Sequence, residues 1–261
     1  DEYVSYVIFF PALSAGPIDR IERFVPELRQ PQQLDREDWI EIIKRVLFGL
    51  FKKFVIADTL AVIAIDDGLG QNADSTLWMW VFVYAYAFQI YFDFSGYTDM
   101  AIGMGRLAGI RLPENFRSPY LKPNITQFWN NWHITLTQWF RSYYFNPLTR
   151  FLRRTNLPAW VSLAIVQLST MVLIGLWHGA TWNFVFWGLW HGIGLFIHNR
   201  WQTWVNPHLK MDRRSARQQN ASTMVGIVLT FHFVALGWVF FALSAPEVAK
   251  HVLSTLFGLT R

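Results

Sequence analysis

The sequence contains no cysteine among its 261 residues. This absence excludes disulfide bonds, zinc–thiolate sites and thiol nucleophiles. Charged residues are also scarce, at 16% of the chain, where about a quarter is usual in soluble proteins. Three familiar catalytic motifs are missing: the His-Glu-x-x-His metalloprotease motif, the phosphate-binding P-loop and the Gly-x-Ser-x-Gly nucleophile elbow. We therefore expect no bound metal or cofactor and none of these three activities.

Apolar and aromatic side chains are abundant instead. Hydrophobic residues reach 52% and aromatic residues 18%, including 14 Trp and 23 Phe. Long, nearly uncharged apolar stretches are typical of a polytopic membrane protein, so we expect an all-α fold that crosses the lipid bilayer several times. The net charge of +5 falls in the loops, which fits the positive-inside rule better than binding to nucleic acid. We interpret 1–261 as a single membrane domain that is part of a longer protein.

Four stretches are apolar over about the length that crosses a membrane; they are 76–92, 158–177, 181–198 and 223–243. A different pattern runs over 38–65, where apolar residues recur at helical spacing. The basic residues that interrupt this pattern are Lys44, Arg45, Lys52 and Lys53. The pattern predicts an amphipathic helix at the cytoplasmic interface, with its basic side chains near lipid headgroups.

Basic loops flank the two central spans on their outer sides. The basic residues are Arg141, Arg150, Arg153 and Arg154 before the first of them, and Arg200, Lys210, Arg213, Arg214 and Arg217 after the second. Because basic loops stay in the cytoplasm, the two spans are expected to form a hairpin with both ends inside. The short connection at 178–180 then lies toward the opposite face of the membrane, or in a cavity reached from it.

Two Trp-His-Gly tripeptides, centred on His178 and His191, occur in this hairpin. An ionisable side chain at membrane depth is costly to hold and marks a functional site by default, and histidine titrates closest to neutral pH. The Gly-Ala-Thr sequence after His178 predicts that this residue ends a helix. On one unbroken helix the two imidazoles would lie about 20 Å apart along the axis. We expect only one of them, His178, to carry out chemistry.

The stretch 125–145 is too polar to span a bilayer and too aromatic for an open loop. It is predicted to form a re-entrant or interfacial helix packed among other helices. On such a helix Trp129, His133 and Thr137 would stack on one face. His133 is therefore the second candidate for the site. The alternative is an interfacial histidine bonded to a backbone carbonyl.

Two carboxylates, Asp93 and Asp99, directly follow the first apolar stretch. On a helix they would face opposite sides, which makes them a poor metal pair, and we expect Asp99 to cap a helix end. The role of Asp93 stays open. The remaining histidine, hydroxyl, amide and indole groups suit general-base activation of an alcohol and stabilisation of a tetrahedral oxyanion. Acyl transfer is the reaction that needs these groups and no metal.

Five stretches give the chain a specific resemblance. They read Phe-Phe-Pro at 9–11 with Gly-Pro at 16–17, Tyr-Phe-Asp-Phe-Ser-Gly-Tyr-Thr-Asp at 91–99, Arg-Leu-Pro-Glu-Asn-Phe at 111–116, Phe-Trp-Asn-Asn-Trp-His at the start of 128–141, and Gly-Leu-Trp-His-Gly at 175–179. In this order the chain resembles the membrane-bound O-acyltransferase family. It is most similar to the bacterial branch with alginate O-acetyltransferases and D-alanyl transfer proteins of teichoic acids.

The resemblance implies tilted transmembrane and re-entrant helices around a central tunnel, with the family's N-terminal spans missing from this chain. It implies transfer of an acyl group, acetyl in the first instance, from a cytoplasmic thioester to a hydroxyl of an extracytoplasmic polysaccharide or cell-wall polymer. Acetyl-coenzyme A or an acyl carrier would be the donor. A periplasmic acyltransferase or an acyl carrier protein is the expected partner, and the bacterial inner (plasma) membrane is the expected location.

By the same resemblance, the family's near-invariant histidine falls on His178 and its second histidine on His133. These two are the predicted catalytic residues. The residues expected to contact donor or substrate are Trp129, Asn130, Asn131, Arg141, Asp93 and Trp177. Family members often carry basic residues where this chain has Asn130 and Asn131, and an Asp where it has Ser142. Both departures bear on the identity of the donor.

Two other functions stay open on the sequence. A proton-coupled transporter or flippase would share the buried histidines, although such proteins usually pair them with carboxylates in mid-span. A non-catalytic scaffold for a partner acyltransferase would tolerate the two departures, although this chain retains both histidines.

Overall fold

The computed structural model describes residues 1–205 and 216–259, and every regular element in these ranges is a helix. The α-helices are α1 (Glu2–Val7), α2 (Phe10–Leu13), α3 (Ile21–Arg29), α4 (Arg36–Leu50), α5 (Asp58–Ala61), α6 (Asp67–Asn72), α7 (Thr76–Leu107), α8 (Ile125–Trp129), α9 (Ile134–Phe140), α10 (Asn146–Leu152), α11 (Ala159–His178), α12 (Trp182–Arg200), α13 (Ala216–Ala242) and α14 (Pro246–Leu256). Short π-helices occupy Phe51–Ala57, Arg141–Phe145 and Trp201–Val205, and a 3₁₀ turn occupies Pro119–Leu121. Lys210, Arg213 and Arg214 of the predicted basic loop lie outside the described residues.

Within the described residues, two helices are long and apolar enough to cross a membrane: Ala159–His178, and Gln218–Ala242 within α13. They coincide with the predicted spans 158–177 and 223–243. The other two predicted spans, 76–92 and 181–198, are helical in α7 and α12. The passage of all four helices through a membrane stays a prediction.

The predicted amphipathic stretch is helical from α4 through Phe51–Ala57 to α5, and it packs along α7. The two helices approach closely at two glycines: a Cβ built on either Gly49 or Gly96 would lie 2.7 Å from the carbonyl oxygen of the other. The start of α4 is closed by a capping box between Asp35 and Asp38. A hydrogen bond from Arg106, together with one from the backbone N–H of Asp35, lowers the pKa of the Asp38 carboxyl.

Ion pairs join α4 and the π-helix that follows it to α7. Arg45 and Lys52 both pair with Asp99, at 3.1 and 2.6 Å, and Lys53 pairs with Asp93. Three of the four basic side chains therefore meet carboxylates of α7, and their proximity to lipid headgroups stays a prediction. The pairs correct the expectation for Asp99, which does not cap a helix end because α7 continues to Leu107. Between packed helices, a charge that is paired with one of opposite sign costs less free energy to bury than a charge without a partner.

The sequence predicts one helix over 125–145, and the structure differs. A turn separates α8 from a second helical run, which consists of α9 and the π-helix Arg141–Phe145. The backbone N–H groups of Asn131 and Trp132 both bond the Phe128 carbonyl, at 2.9 and 2.8 Å, and this closes α8. His133 then adopts left-handed backbone angles, φ 41° and ψ 55°, and α9 begins after it. Trp129, His133 and Thr137 consequently do not stack on one helical face. A non-local partner fixes the break, because the Ile134 N–H bonds the carbonyl of Asn115 at 2.9 Å.

The hairpin of α11 and α12 holds its two helices in backbone contact. A Cβ on Gly175 would lie 2.1 Å from the Phe184 carbonyl oxygen, and one on Gly188 would lie 2.5 Å from that of Met171. Helix α11 ends at His178, as the sequence predicts. The hairpin packs with α7, α8 and α13 around an aromatic core, whose largest fully buried side chains include Trp187, Trp238 and Phe128.

Candidate active site

His133 and His178 line one small cavity of about 40 Å³. His133 reaches it from the turn before α9, and His178 from the last residue of α11. The other lining residues are mostly aromatic: Ile90, Phe94, Trp129, Trp132, Leu136, Ile174, Trp187, Trp238 and Phe241. The space suffices for a water-sized group. The two predicted catalytic histidines, far apart in sequence, therefore meet at one place.

His133 is held by a side-chain amide. Its Nδ1 lies 3.1 Å from Oδ1 of Asn115, which also accepts hydrogen bonds from the backbone N–H of Thr135 at 3.2 Å and from its hydroxyl at 3.0 Å. Because an amide oxygen only accepts, this arrangement places the imidazole proton on Nδ1 and leaves a lone pair on Nε2. The sequence-based alternative, a bond to a backbone carbonyl, does not describe this partner.

The imidazole of His178 is packed by rings and has no hydrogen bond to any other described residue. Its ring centroid lies 4.8 Å from that of Trp177, 4.9 Å from Phe241 and 5.6 Å from Trp187. The side chain is half-buried at the helix end. Both ring nitrogens are therefore available to a substrate.

His191, in the second Trp-His-Gly tripeptide, is sealed inside the core. It is 0% exposed, and neither ring nitrogen has a hydrogen-bond partner in 1–205 or 216–259. Its ring packs against Trp129 at 5.1 Å and Trp187 at 5.0 Å. A Cβ on Gly237 would lie only 2.7 Å from its Nε2. No substrate can reach this imidazole without displacing α13.

A larger cavity of about 370 Å³ adjoins the histidine cavity. Trp129 and Ile174 line both cavities and so form the wall between them. Three of the residues predicted to contact the acyl donor line this cavity: Trp129, Asn130 and Arg141. Nη2 of Arg141 donates a hydrogen bond to Oδ1 of Asn130 at 2.9 Å. The remaining polar lining consists of hydroxyls and amides: Thr126, Thr137, Asn146, Gln167, Thr170, Asn199 and Gln202.

The other predicted contact residues lie elsewhere. The centroid of the exposed Trp177 ring lies 4.8 Å from that of His178 and 6.2 Å from that of His133. Asn131 donates its amide to the Gln127 carbonyl and helps to build the turn. Asp93, paired with Lys53, lines neither of the two cavities.

Sequence reasoning missed two residues at this site, Asn115 and Trp187. Asn115 belongs to the Arg-Leu-Pro-Glu-Asn-Phe stretch, so its presence in a shared motif was a usable signal. Trp187 is one of 14 tryptophans, and nothing in the sequence separates it from the others. In 1–205 and 216–259 no group of three or more His, Asp or Glu side chains is arranged to hold a metal ion.

Comparison with known proteins identifies the family of the chain. Residues 2–241 match the model of MBOAT, the membrane-bound O-acyltransferase family. A peptidoglycan O-acetyltransferase of Helicobacter pylori is 38% identical over 99% of this chain and 47% of its own length. A probable alginate O-acetylase AlgI of Pseudomonas putida is 36% identical over 98% of this chain and 49% of its own length. A teichoic acid D-alanyltransferase of Bacillus subtilis is 30% identical over 91% of this chain and 60% of its own length. The chain thus spans about half the length of the curated relatives it matches.

Proposed function

The chain belongs to the membrane-bound O-acyltransferase family, and from this premise we propose that it carries the transfer site of a multi-pass enzyme in the bacterial inner (plasma) membrane. The enzyme moves an acyl group, in the first instance acetyl, from a cytoplasmic thioester to a hydroxyl of an extracytoplasmic polysaccharide or cell-wall polymer. The observation that carries this proposal is the single cavity shared by His133 and His178. The relatives named for O-acetylation of peptidoglycan and alginate support acetyl over other acyl groups.

In the proposed reaction His178 is the general base. It accepts the proton of the acceptor hydroxyl while the hydroxyl oxygen attacks the carbonyl carbon of the thioester. The tetrahedral intermediate then collapses, the carbon–sulfur bond breaks, and the departing thiolate takes the proton that His178 holds. Base assistance of this kind contributes about 10²- to 10⁴-fold in rate, and positioning in a water-poor cavity contributes the rest.

His133 is the proposed positioning partner of His178. Its hydrogen bond to Asn115 fixes the ring and leaves Nε2 as an acceptor. An acceptor at this place can accept a hydrogen bond from a neighbouring hydroxyl of the polymer, and so hold the attacking hydroxyl, whose own proton goes to His178, in line with the carbonyl carbon. His133 is held in place by an amide, which suits a role in orienting the substrate. His178 has no such hydrogen bond, which suits a role in accepting and releasing a proton.

The larger cavity is the proposed binding site for the arm of the donor. A pantetheine arm, the part common to coenzyme A and acyl carriers, presents amides and a hydroxyl, which match the amide and hydroxyl lining of this cavity. Arg141 supplies a positive charge for a phosphate at the mouth. Helix α10 leads from this cavity to Arg150, Arg153 and Arg154, which the positive-inside rule places in the cytoplasm. An acyl carrier protein, or a periplasmic acyltransferase that completes delivery to the polymer, would be the partner.

The decisive experiment measures ester-linked acyl groups on the exported polysaccharide of the host. Cells producing wild-type protein are compared with cells producing His178→Ala at equal protein level in the membrane. We expect loss of the ester with normal export of the polymer. Normal ester content in the variant would overturn the role of His178, and unchanged ester with altered polymer export would indicate transport instead.

A further inference from the structure

Two indole N–H groups beside the histidine cavity have no hydrogen-bond partner among the residues that the structure describes. They belong to Trp129 and Trp187, which are 5% and 1% exposed, and the Nε1 atom of each is buried and unbonded. Both residues line the cavity that contains His133 and His178. A buried donor without a partner is costly, so each such group in a folded protein needs an explanation.

Other tryptophans of the chain show that this is not a general property of its indoles. The indole of Trp238, which lines the same cavity, donates to the hydroxyl of Tyr120 at 3.0 Å. Trp190 donates to the Phe233 carbonyl at 2.9 Å, and Trp80 to the Leu256 carbonyl at 3.1 Å. The two unused donors therefore occur together, at the place where the histidines meet.

From this, and resting on the proposed acyl transfer, we infer that the indole N–H groups of Trp129 and Trp187 form the oxyanion hole of the reaction. The Trp187 ring lies 5.6 Å from the ring of His178 and 5.6 Å from that of Trp129. Trp129 also forms part of the wall to the larger cavity. A thioester carbonyl that enters from the larger cavity toward His178 must pass this wall, so its oxygen comes next to the unused donors.

The oxyanion hole would act when negative charge develops on the carbonyl oxygen. When the acceptor oxygen bonds to the carbonyl carbon, the carbon–oxygen double bond opens and its electron pair moves to the carbonyl oxygen. The hydroxyl proton moves to His178. The new negative charge on oxygen accepts hydrogen bonds from the two indoles until the double bond re-forms and the thiolate leaves. Neutral donors that are unsatisfied before this charge appears bind the transition state more strongly than the ground state.

Two variants remove the indole N–H of Trp187. Trp187→Phe keeps an aromatic ring, and site-specific incorporation of benzothienylalanine at position 187 keeps the bicyclic shape while sulfur replaces the N–H. Membranes containing the complete protein are supplied with radiolabelled acetyl-coenzyme A and the host polymer, and alkali-labile label on the polymer gives kcat and KM per folded molecule. Trp190→Phe, on the same helix but away from the cavity, is the control.

We expect kcat to fall about 10²- to 10³-fold at position 187, as for loss of one oxyanion donor, with KM for the thioester little changed. The same change at Trp129 should lower kcat in the same way, and Trp190→Phe should retain wild-type kcat. A normal kcat with benzothienylalanine would overturn the inference, as would a rise in KM alone. If Trp187→Phe does not fold, the benzothienylalanine variant decides. Failure of the proposed function itself is distinct, since His178→Ala would then retain transfer.

Discussion

The two Trp-His-Gly tripeptides of this chain are identical in sequence and opposite in placement. His178 ends a helix, is half-buried and faces a cavity that also contains His133. His191 lies in the middle of α12, is fully buried, and is covered by Gly237 of a neighbouring helix. The backbone after each tripeptide makes the difference: it is extended at Gly179, and Thr181 is the N-cap of the next helix, whereas α12 continues through Gly192 to Arg200. Chemistry at a buried histidine depends on this local context and not on the tripeptide.

The largest expected effect separates these two histidines directly. His178→Ala should lower acyl transfer by about 10²- to 10⁴-fold, as expected for loss of a general base. His191→Leu should retain transfer, because no substrate reaches that ring. Its melting temperature should be unchanged or higher, since the variant removes two buried nitrogens that have no partner. Both variants are assayed for transfer and thermal unfolding in membranes or detergent at equal amounts of folded protein. Equal loss of transfer in the two variants would break the comparison.

Much of the architecture follows from local sequence. Apolar length predicts α11 and α13, and the Gly-Ala-Thr sequence predicts the end of α11 at His178. Periodicity likewise predicts the helical run from α4 to α5. These elements depend on side chains close together along the chain, which is the information that a sequence pattern contains.

The rest depends on partners distant in sequence. The turn at His133 exists because Asn115 supplies both a backbone carbonyl and a side-chain oxygen to residues after the turn, and no periodicity in 125–145 records that contact. The pairing of Lys53 with Asp93 depends in the same way on how the π-helix Phe51–Ala57 packs on α7. The unused N–H of Trp187 appears only when the bonds of the other indoles are known.

A smaller effect on transfer is expected at Asn115, which holds the His133 ring by a hydrogen bond that His178 lacks. Asn115→Ala removes the acceptor of three hydrogen bonds, so transfer should fall about tenfold and stability by about 1–3 kcal/mol. Asn115→Asp keeps the accepting oxygen and should retain more activity per folded molecule than the alanine variant. Asn72→Ala, at an exposed position of α6 outside both cavities, is the control with near-normal transfer. Equal activity of the alanine and aspartate variants would show that the oxygen does not orient His133.

The smallest expected effect concerns Asp93, which carries a charge but lies outside the cavities. Its pair with Lys53 is about one-third exposed, with 37% and 29% of the two side chains accessible. Pairs of this kind contribute about 0–1 kcal/mol, so Asp93→Asn should change transfer less than about twofold.

Asp99→Asn provides the matched contrast, because Asp99 is 15% exposed and pairs with both Arg45 and Lys52. Its loss leaves two cations without their partner between packed helices, so the melting temperature should fall further than for Asp93→Asn. Transfer and thermal unfolding of both variants are measured together. If Asp93→Asn abolished transfer while remaining folded, a polar group outside the histidine cavity would take part in the reaction. Lining the histidine cavity would then not be what distinguishes the functional residues of this chain, and a polar group within the membrane would be functional without lining it.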